Sequence, residues 1–458
     1  MELGRQGEQD SSKWRFRALV AGYSVSAYGN FLNLIALSLF TYEVVGTAFG
    51  IGAVMALRLF SGVLAGLGAG AITAVLGRRT VMIGADVAQA LAMAILALSA
   101  NDSSLTLLLG AVVVLGAGNA LFTVALRSAV PVIVGQDERM RANGLLVTAR
   151  SFATLLGFAS AAGIIAFGGY GLAFAVNGAS FAVSAAVVVA LRLRTDAGSG
   201  ADAGSGDGTV AEPALPDRSA DRTQGKGTRR LMAGIPGLML GMLLLRGTDA
   251  FASSSHNVAL PVVASLRFPE NSALFMTQFW VAWALGTFLS HQLLKRFRGE
   301  KVYGARVFAL STGVMSISFV LAFTALPVPA LMAAALMAGL ADGCAEIVYV
   351  SSLQAAPEQE RSRLLGLSAS AETAGFSLGM IGAAAALEVL PALRVVAMFH
   401  ATALGGALAL VLYVAAFRRG TAERPGSTTR SSGTKEPLIA DEGDTHGTRP
   451  GAGPLPRA

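Results

Sequence analysis

Arg246 and Asp249, and likewise Asp342 and Glu346, are charged residues inside long apolar stretches of the sequence. The members of the first pair are three positions apart and those of the second are four apart, so each pair lies on one face of a helix. A charge near the centre of a bilayer costs about 3 kcal/mol or more, and such groups therefore face a cavity or a partner. Two interpretations follow: an ion pair that braces two helices, or a site for substrate or protons. Three carboxylates exceed one arginine, which favours the site and leaves at least one acid to exchange protons.

Further polar residues inside apolar stretches are candidates for the wall of such a cavity. The lone charges are Arg58 and Glu372, and the neutral candidates are Asn30, Asn33, Asn119 and Gln278. An unpaired amide is costly in lipid, so each of these groups needs a hydrogen-bond partner or water. An interhelical hydrogen bond is the structural alternative for each.

The chain lacks the residue patterns of common enzymes and metalloproteins. His256, His291 and His400 show no ligand spacing, and Cys344 is the single cysteine, so neither a metal site nor a disulfide framework is indicated. No G-x-x-x-x-G-K-[ST] loop occurs, which excludes direct use of ATP by this chain. A membrane-embedded enzyme would need a cluster of His, Asp or Glu at one interface, and none is convincing. We expect no enzymatic activity, no cofactor and no metal.

Twelve apolar runs position these residues. Of 458 residues, 53% are hydrophobic and only 14% are charged, and the mean hydropathy is +0.60. Runs of about 20 apolar residues with short basic or Gly/Pro breaks are typical of transmembrane helices. The net charge of +7 comes from Arg and Lys between the runs, so it indicates membrane topology rather than nucleic-acid binding. The predicted spans are 18–43, 49–72, 80–100, 105–127, 143–167, 170–191, 231–255, 273–294, 302–325, 328–351, 364–388 and 393–417.

Basic connections define the predicted topology. Arg and Lys concentrate at the amino terminus, in alternate connections and in the tail, so the positive-inside rule places both termini in the cytoplasm. Two segments are rich in small and polar residues without an apolar period, and we expect them to be disordered. The predicted organisation is an arm (1–17), a six-helix bundle (18–194), a linker (195–230), a second six-helix bundle (231–417) and a tail (418–458). The preference for Arg, Ala and Gly fits a bacterial source and hence the bacterial cytoplasmic membrane.

The two bundles share a sequence repeat. Residues 138–145 and 360–367 both fit E-R-x-R-x-x-G-L, with an offset of 222 positions, and the same offset relates Gly157 to Gly379. Each octet follows the fourth span of its bundle, which indicates duplication of a six-helix unit. Two parallel six-helix repeats around a central cavity are typical of secondary transporters. The predicted fold class is an all-α membrane protein with twelve transmembrane helices in two pseudo-symmetric six-helix bundles.

With these features the chain resembles the major facilitator superfamily, and within it the bacterial exporters related to enterobactin and macrolide efflux pumps. The resemblance covers nearly all of residues 14–417. It implies alternating access by a monomer, a small-molecule substrate and protons as the coupling ion. The substrate would be an amphipathic antibiotic, siderophore or other secondary metabolite, and the direction export. The resemblance rests on Gly29-Asn30, Ala56-Leu57-Arg58, Arg78-Arg79-x-Val81-Met82 leading to Asp86, Ala142-Asn143-Gly144-Leu145, and Pro357 through Arg363.

The family signature between the second and third helices, in idealised form G-x-x-x-D-R-x-G-R-R, corresponds here to residues 70–79. In the family its carboxylate helps to latch the halves on the cytoplasmic side, but this chain has Ala74 at that position. The resemblance therefore implies a cytoplasmic gate in which another acid pairs with the arginines. The predicted gate residues are Gly70, Gly77, Arg78, Arg79 and Asp86.

The glycine–proline motif of antiporters in the fifth helix is also incomplete. It occurs only as the glycine-bearing segment 157–163, without its proline. Gly157, Ala161 and Gly163 would still allow close helix packing in lipid. Together with Ala74, the missing proline favours the alternative hypothesis, a transport-inactive signalling or lipid-handling membrane protein of the same fold.

Overall fold

The computed structural model describes residues 2–102, 104–135, 138–191, 237–296 and 304–422. These residues form α-helices joined by short connections, with one 3-10 turn at Pro269–Asn271. The first helix begins within the predicted arm, whereas the predicted linker and nearly all of the tail lie outside the described residues. The helices are α1 (Glu2–Val45), α2 (Ala48–Leu76), α3 (Arg78–Leu98), α4 (Leu105–Val134), α5 (Arg139–Leu191), α6 (Gly237–Arg267), α7 (Ser272–Arg296), α8 (Ala305–Ala322), α9 (Val328–Gln354), α10 (Glu358–Leu387) and α11 (Ala392–Ala422).

The helix α5 consists of two arms that meet at Gly168 and Gly169. Gly169 has a φ of 65°, which a residue without a Cβ adopts at little cost. The break falls between two predicted spans. Within the described residues, nine helices are long and apolar enough to cross a membrane, with the two arms of α5 counted as one. The all-helical membrane fold is thus confirmed, while the number of twelve spans stays a prediction.

Glycine contacts show that the sequence repeat is also a structural repeat. In the N-terminal half α1 packs on α5, and in the C-terminal half α6 packs on α10. A Cβ added to Gly157 of α5 would lie 2.7 Å from the carbonyl oxygen of Tyr28. A Cβ added to Gly379 of α10 would likewise overlap the carbonyl oxygen of Phe251. The two glycines that the repeat relates therefore permit the same close approach in each half, as small residues do between helices in lipid.

The two halves meet mainly through two helix pairs, α2 with α10 and α5 with α7. The amide of Phe49, at the start of α2, donates a hydrogen bond of 2.7 Å to a carboxylate oxygen of Glu388, just after α10. In the other pair, the amide of Ala162 donates to the hydroxyl of Thr277 at 3.1 Å. Because α2 and α7 are equivalent in the repeat, as are α5 and α10, this interface is itself pseudo-symmetric.

The hydrophobic packing differs between the two ends of the molecule. At the end where α1 turns into α2, one cluster contains residues from both halves, among them Leu37 and Val258. At the end where α2 turns into α3, each half has its own cluster, around Phe122 in one and Tyr349 in the other. The halves are therefore joined at the first end and separate at the second, which is the end that the sequence predicts to face the cytoplasm.

Candidate functional site

A cavity of about 920 Å³ lies between the two halves, and we call it the central cavity. Six aromatic residues line it, and one of them, Trp280 of α7, stacks on Phe158 of α5 with 5.5 Å between ring centroids. Apolar walls with a few polar groups are typical of small-molecule sites. The charged and amide residues that line the cavity are Asn30, Arg58, Asp86, Gln89, Asn119, Arg150 and Asn257.

Three of the residues predicted for the cavity wall, Asn30, Arg58 and Asn119, do line it. Sequence reasoning missed Gln89, Arg150 and Asn257. The signal for Arg150 was present, because this arginine lies inside the predicted span 143–167.

The structure does not bring Asn33 and Gln278 to the cavity. Asn33 is fully buried, and neither its amide nitrogen nor its oxygen has a hydrogen-bond partner in the described part of the chain. Gln278 lies on the exposed face of α7, whereas Met276 and Trp280 line the cavity. Two positions correspond to about 200° of rotation around a helix, so Gln278 points away from the face that its two neighbours share.

Arg246 of α6 is the centre of a second polar cluster. Its Nε lies 2.7 Å from Oε1 of Glu372, its Nη2 lies 2.5 Å from Oε2 of Glu346, and its Nη1 lies 3.8 Å from Oδ2 of Asp249. Asp342, one helical turn before Glu346, has no ion pair within the described residues. We call these five residues the arginine network. The two predicted charge pairs do converge, but Glu372 is not the lone charge that the sequence suggested.

Burial differs strongly within the arginine network. The side chain of Asp249 is 6% exposed and that of Arg246 15%, whereas those of Glu372 and Glu346 are 36% and 48% exposed. The guanidinium also lies over the ring of Tyr349, 5.5 Å from its centroid. Arg246 is thus held between a buried acid on its own helix and two acids that water can reach.

The repeat relates three acids of the network to residues of the N-terminal half. At an offset of 222 positions, Asp249, Asp342 and Glu346 correspond to Ala27, Ala120 and Val124. All three of these N-terminal residues line the central cavity. In the described structure none of the five network residues itself lines the central cavity, but the three acids occupy positions of the C-terminal half that are equivalent to cavity-lining positions of the N-terminal half.

The predicted gate lies at the turn between α2 and α3. Gly77 is the one residue between these helices, and its φ of 76° explains the need for glycine. Arg79 donates to the carbonyl oxygens of Val188 and Val189 at 3.4 and 2.9 Å, within its own half. A Cβ at Gly70 would meet open space, so no close packing requires this glycine here.

Asp86, the acid predicted to replace the missing gate carboxylate, is not at that turn. It is 1% exposed and lines the central cavity. In this conformation Asp86 therefore belongs to the cavity rather than to the arginines of the turn.

Two histidines that the sequence treats separately are in contact. Nδ1 of His256 and Nε2 of His400 are 3.2 Å apart, and the ring of His256 stacks on Phe319. The residues are 144 positions apart, so spacing gave no signal. The described residues contain no group of three or more side chains that could hold a metal ion.

Two pseudo-symmetric helical halves, membrane-spanning helices and a central cavity define a membrane transporter rather than an enzyme. The chain belongs to the Major Facilitator Superfamily, because the model of that family matches residues 19–305. A comparison with curated protein sequences gives no significant match.

Solved structures of transporters share this fold. The nucleoside transporter NupG superimposes with a TM-score of 0.63 at 12% identity, covering 87% of this chain and 98% of its own. An auto-inhibited peptide transporter of the POT family gives 0.64 at 13% identity, covering 88% of this chain and 96% of its own. The POT family transporter PepTSo gives 0.64 at 10% identity, covering 88% and 98%. At these identities the likeness establishes the fold alone.

Proposed function

We propose that the chain is a secondary active transporter that exports a small amphipathic molecule by alternating access, in exchange for protons. The observation that carries this proposal is the arginine network, in which three carboxylates pair with one arginine and a fourth, Asp342, has no ion pair in the described structure. One guanidinium balances one carboxylate, so the network holds excess acid groups. In a membrane protein such groups mark ion or proton pathways more often than structural pairs.

The network offers a physical route for proton coupling. Asp342 is the acid without an ion pair in the described structure, and it is the natural proton carrier. A carboxylate that loses its water when the cavity closes favours its neutral form. Arg246 already pairs with Glu346 and Glu372, which stabilises their charged form, so these two acids have less need of a proton. Alternation between a wet and a closed cavity would then load and release a proton at Asp342.

The central cavity supports the substrate class and the direction of transport. Its volume of about 920 Å³ and its mixed aromatic and polar wall suit an amphipathic small molecule. The two halves are separate at the end that the sequence predicts to be cytoplasmic. A cavity entered from the cytoplasm suits loading for export, in line with the resemblance to enterobactin and macrolide exporters. We place the protein in the bacterial cytoplasmic membrane as a monomer with both termini inside.

The test uses inverted membrane vesicles with a respiration-driven pH gradient, reported by an acridine dye. The panel contains macrolides and catecholate siderophores, together with nucleosides and dipeptides because the structural neighbours are nucleoside and peptide transporters. One class should collapse the gradient in vesicles that contain the parent protein. Asp342→Asn should abolish gradient-driven accumulation of that class but keep downhill exchange. Asp102→Asn, at an exposed position between α3 and α4, is the matched control.

Two results would contradict the proposal. If Asp249→Asn, Asp342→Asn and Glu346→Gln all keep full pH-dependent uphill transport, the acids are structural and coupling lies elsewhere. If no compound of the panel moves or changes the gradient, the transport-inactive alternative gains support.

A further inference from the structure

Two arginines of the N-terminal half face the central cavity without an acidic partner. Arg58 of α2 and Arg150 of α5 both line the cavity, and neither forms an ion pair or a hydrogen bond from its guanidinium to any described residue. The Arg150 guanidinium lies over the ring of Phe31, 5.8 Å from its centroid. This half of the cavity therefore presents two positive charges.

The backbone of Arg58 is fixed where α2 and α4 pack closely. A Cβ added to Gly116 of α4 would overlap the carbonyl oxygen of Arg58. Ser61 donates a hydrogen bond of 2.8 Å to the same oxygen. The backbone of Arg58 therefore cannot move away from the cavity wall, where the residue is half-buried. An uncompensated buried charge is destabilising, and such a residue is expected to obtain its partner from a ligand.

The remaining wall adds two further requirements on the ligand. Oδ1 of Asn30 and Oε1 of Gln89 are buried without a hydrogen-bond partner in the described structure, so they can accept bonds from ligand donors. Trp280 and the other aromatic residues offer flat apolar surface. The one acid on this wall is Asp86, which makes no ion pair with either arginine, so the formal charge of the cavity lining is positive.

We propose that the central cavity binds an amphipathic organic anion, with Arg58 and Arg150 supplying the positive charge that its acidic group binds. This inference rests on the proposed transporter function and narrows its substrate class. Arginine suits this role because its donors match the geometry of a carboxylate or a similar oxyanion. Neutral and cationic amphipathic molecules leave both guanidiniums unpaired and should bind more weakly.

The experiment measures binding by isothermal titration calorimetry to the purified full-length protein in detergent. Three probes share a naphthalene body and differ in charge: 2-naphthylacetate, 2-naphthylacetamide and 2-(2-naphthyl)ethylamine. The acid should bind most tightly. A charge-assisted hydrogen bond is strong enough that Arg58→Gln and Arg150→Gln should each weaken binding of the acid about tenfold or more. Arg58→Lys should keep part of the preference, and Arg127→Gln, at an exposed position of α4 outside the cavity lining, should have no effect.

A separate measurement guards against variants that merely misfold. Without ligand, Arg58→Gln should be at least as heat-stable as the parent, because it removes a half-buried charge that has no counter-ion. A less stable Arg58→Gln variant would identify Arg58 as a structural residue and overturn the proposal.

Three binding results would also overturn it: the amide or the amine binds as tightly as the acid, the two arginine variants bind the acid like the parent, or no probe binds. Binding in detergent needs no proton gradient, so these outcomes are independent of the vesicle experiment. Selective binding of the anion without any gradient-driven transport would refute the proposed function but would still support the anion site.

Discussion

Replacing Arg246 with Gln should destabilise the protein, and most of the loss should come from Asp249. Removing one partner of a buried ion pair costs about 3–5 kcal/mol, because the other charge stays buried. The side chains of Glu346 and Glu372 are 48% and 36% exposed, so solvent can reach them, and each should account for at most about 1 kcal/mol. The side chain of Asp249 is only 6% exposed, and its Oδ1 has no hydrogen-bond partner in the described structure.

The assay is equilibrium unfolding in mixed micelles, comparing Arg246→Gln with double variants that also carry Asp249→Asn, Glu346→Gln or Glu372→Gln. Asp249→Asn should restore more than half of the lost free energy of unfolding, and each glutamate change should restore about 1 kcal/mol or less. The reasoning is that burial outweighs distance, since Glu372 lies 2.7 Å from the guanidinium and Asp249 lies 3.8 Å away. Greater recovery with Glu372→Gln than with Asp249→Asn would refute it. Arg127→Gln controls for loss of an exposed arginine.

Three further predictions concern topology and gating. A reporter fused after residue 210 should be cytoplasmic and one inserted at 269 external, because basic connections stay inside; an external signal at 210 would overturn the predicted topology. Neutralising Arg78 and Arg79 together should reduce vesicle transport but leave membrane insertion intact, whereas unchanged transport would leave these arginines as topology signals only. Changing Glu388 to Gln should weaken the closed end by about 1 kcal/mol, because its carboxylate binds the first turn of α2. Such a change shifts the conformational equilibrium about fivefold. The shift is measured in a variant that lacks the native cysteine and carries a new cysteine in the cavity, which a thiol reagent labels from outside. Unchanged labelling would contradict the prediction.

The sequence predicts the helices and the charge pairs on one helix face because both depend on local pattern. Apolar length defines the helices, and the spacing of Asp342 and Glu346 places both on one face of α9. The partner of Glu372 was not predictable in this way. Arg246 and Glu372 are 126 positions apart, and their contact depends on how α10 packs against α6.

The same limit explains the errors at the cavity wall. Polarity inside a span identifies a candidate but not the side of the helix that faces the cavity. Asn30 lines the cavity and Asn33 does not, although both lie on α1 and only three positions separate them. The helix packing that distinguishes them becomes visible only when the two halves are assembled.

The two halves share one arrangement of helices but differ in their charged side chains. Arg150 and Glu372 are 222 positions apart, so equivalent places in the two halves carry opposite charges, and Arg58 has Trp280 as its counterpart. The N-terminal wall of the cavity thus presents two guanidiniums and one acid, Asp86, whereas the arginine network of the C-terminal half holds four acids and one guanidinium. A wall with uncompensated charge is costly to close, because closure removes the water that solvates it. An anion lowers that cost on one wall and a proton lowers it on the other. The two halves thus acquired different charges after duplication. Under the proposed function, this difference lets an anion and a proton both control the same movement of one half against the other.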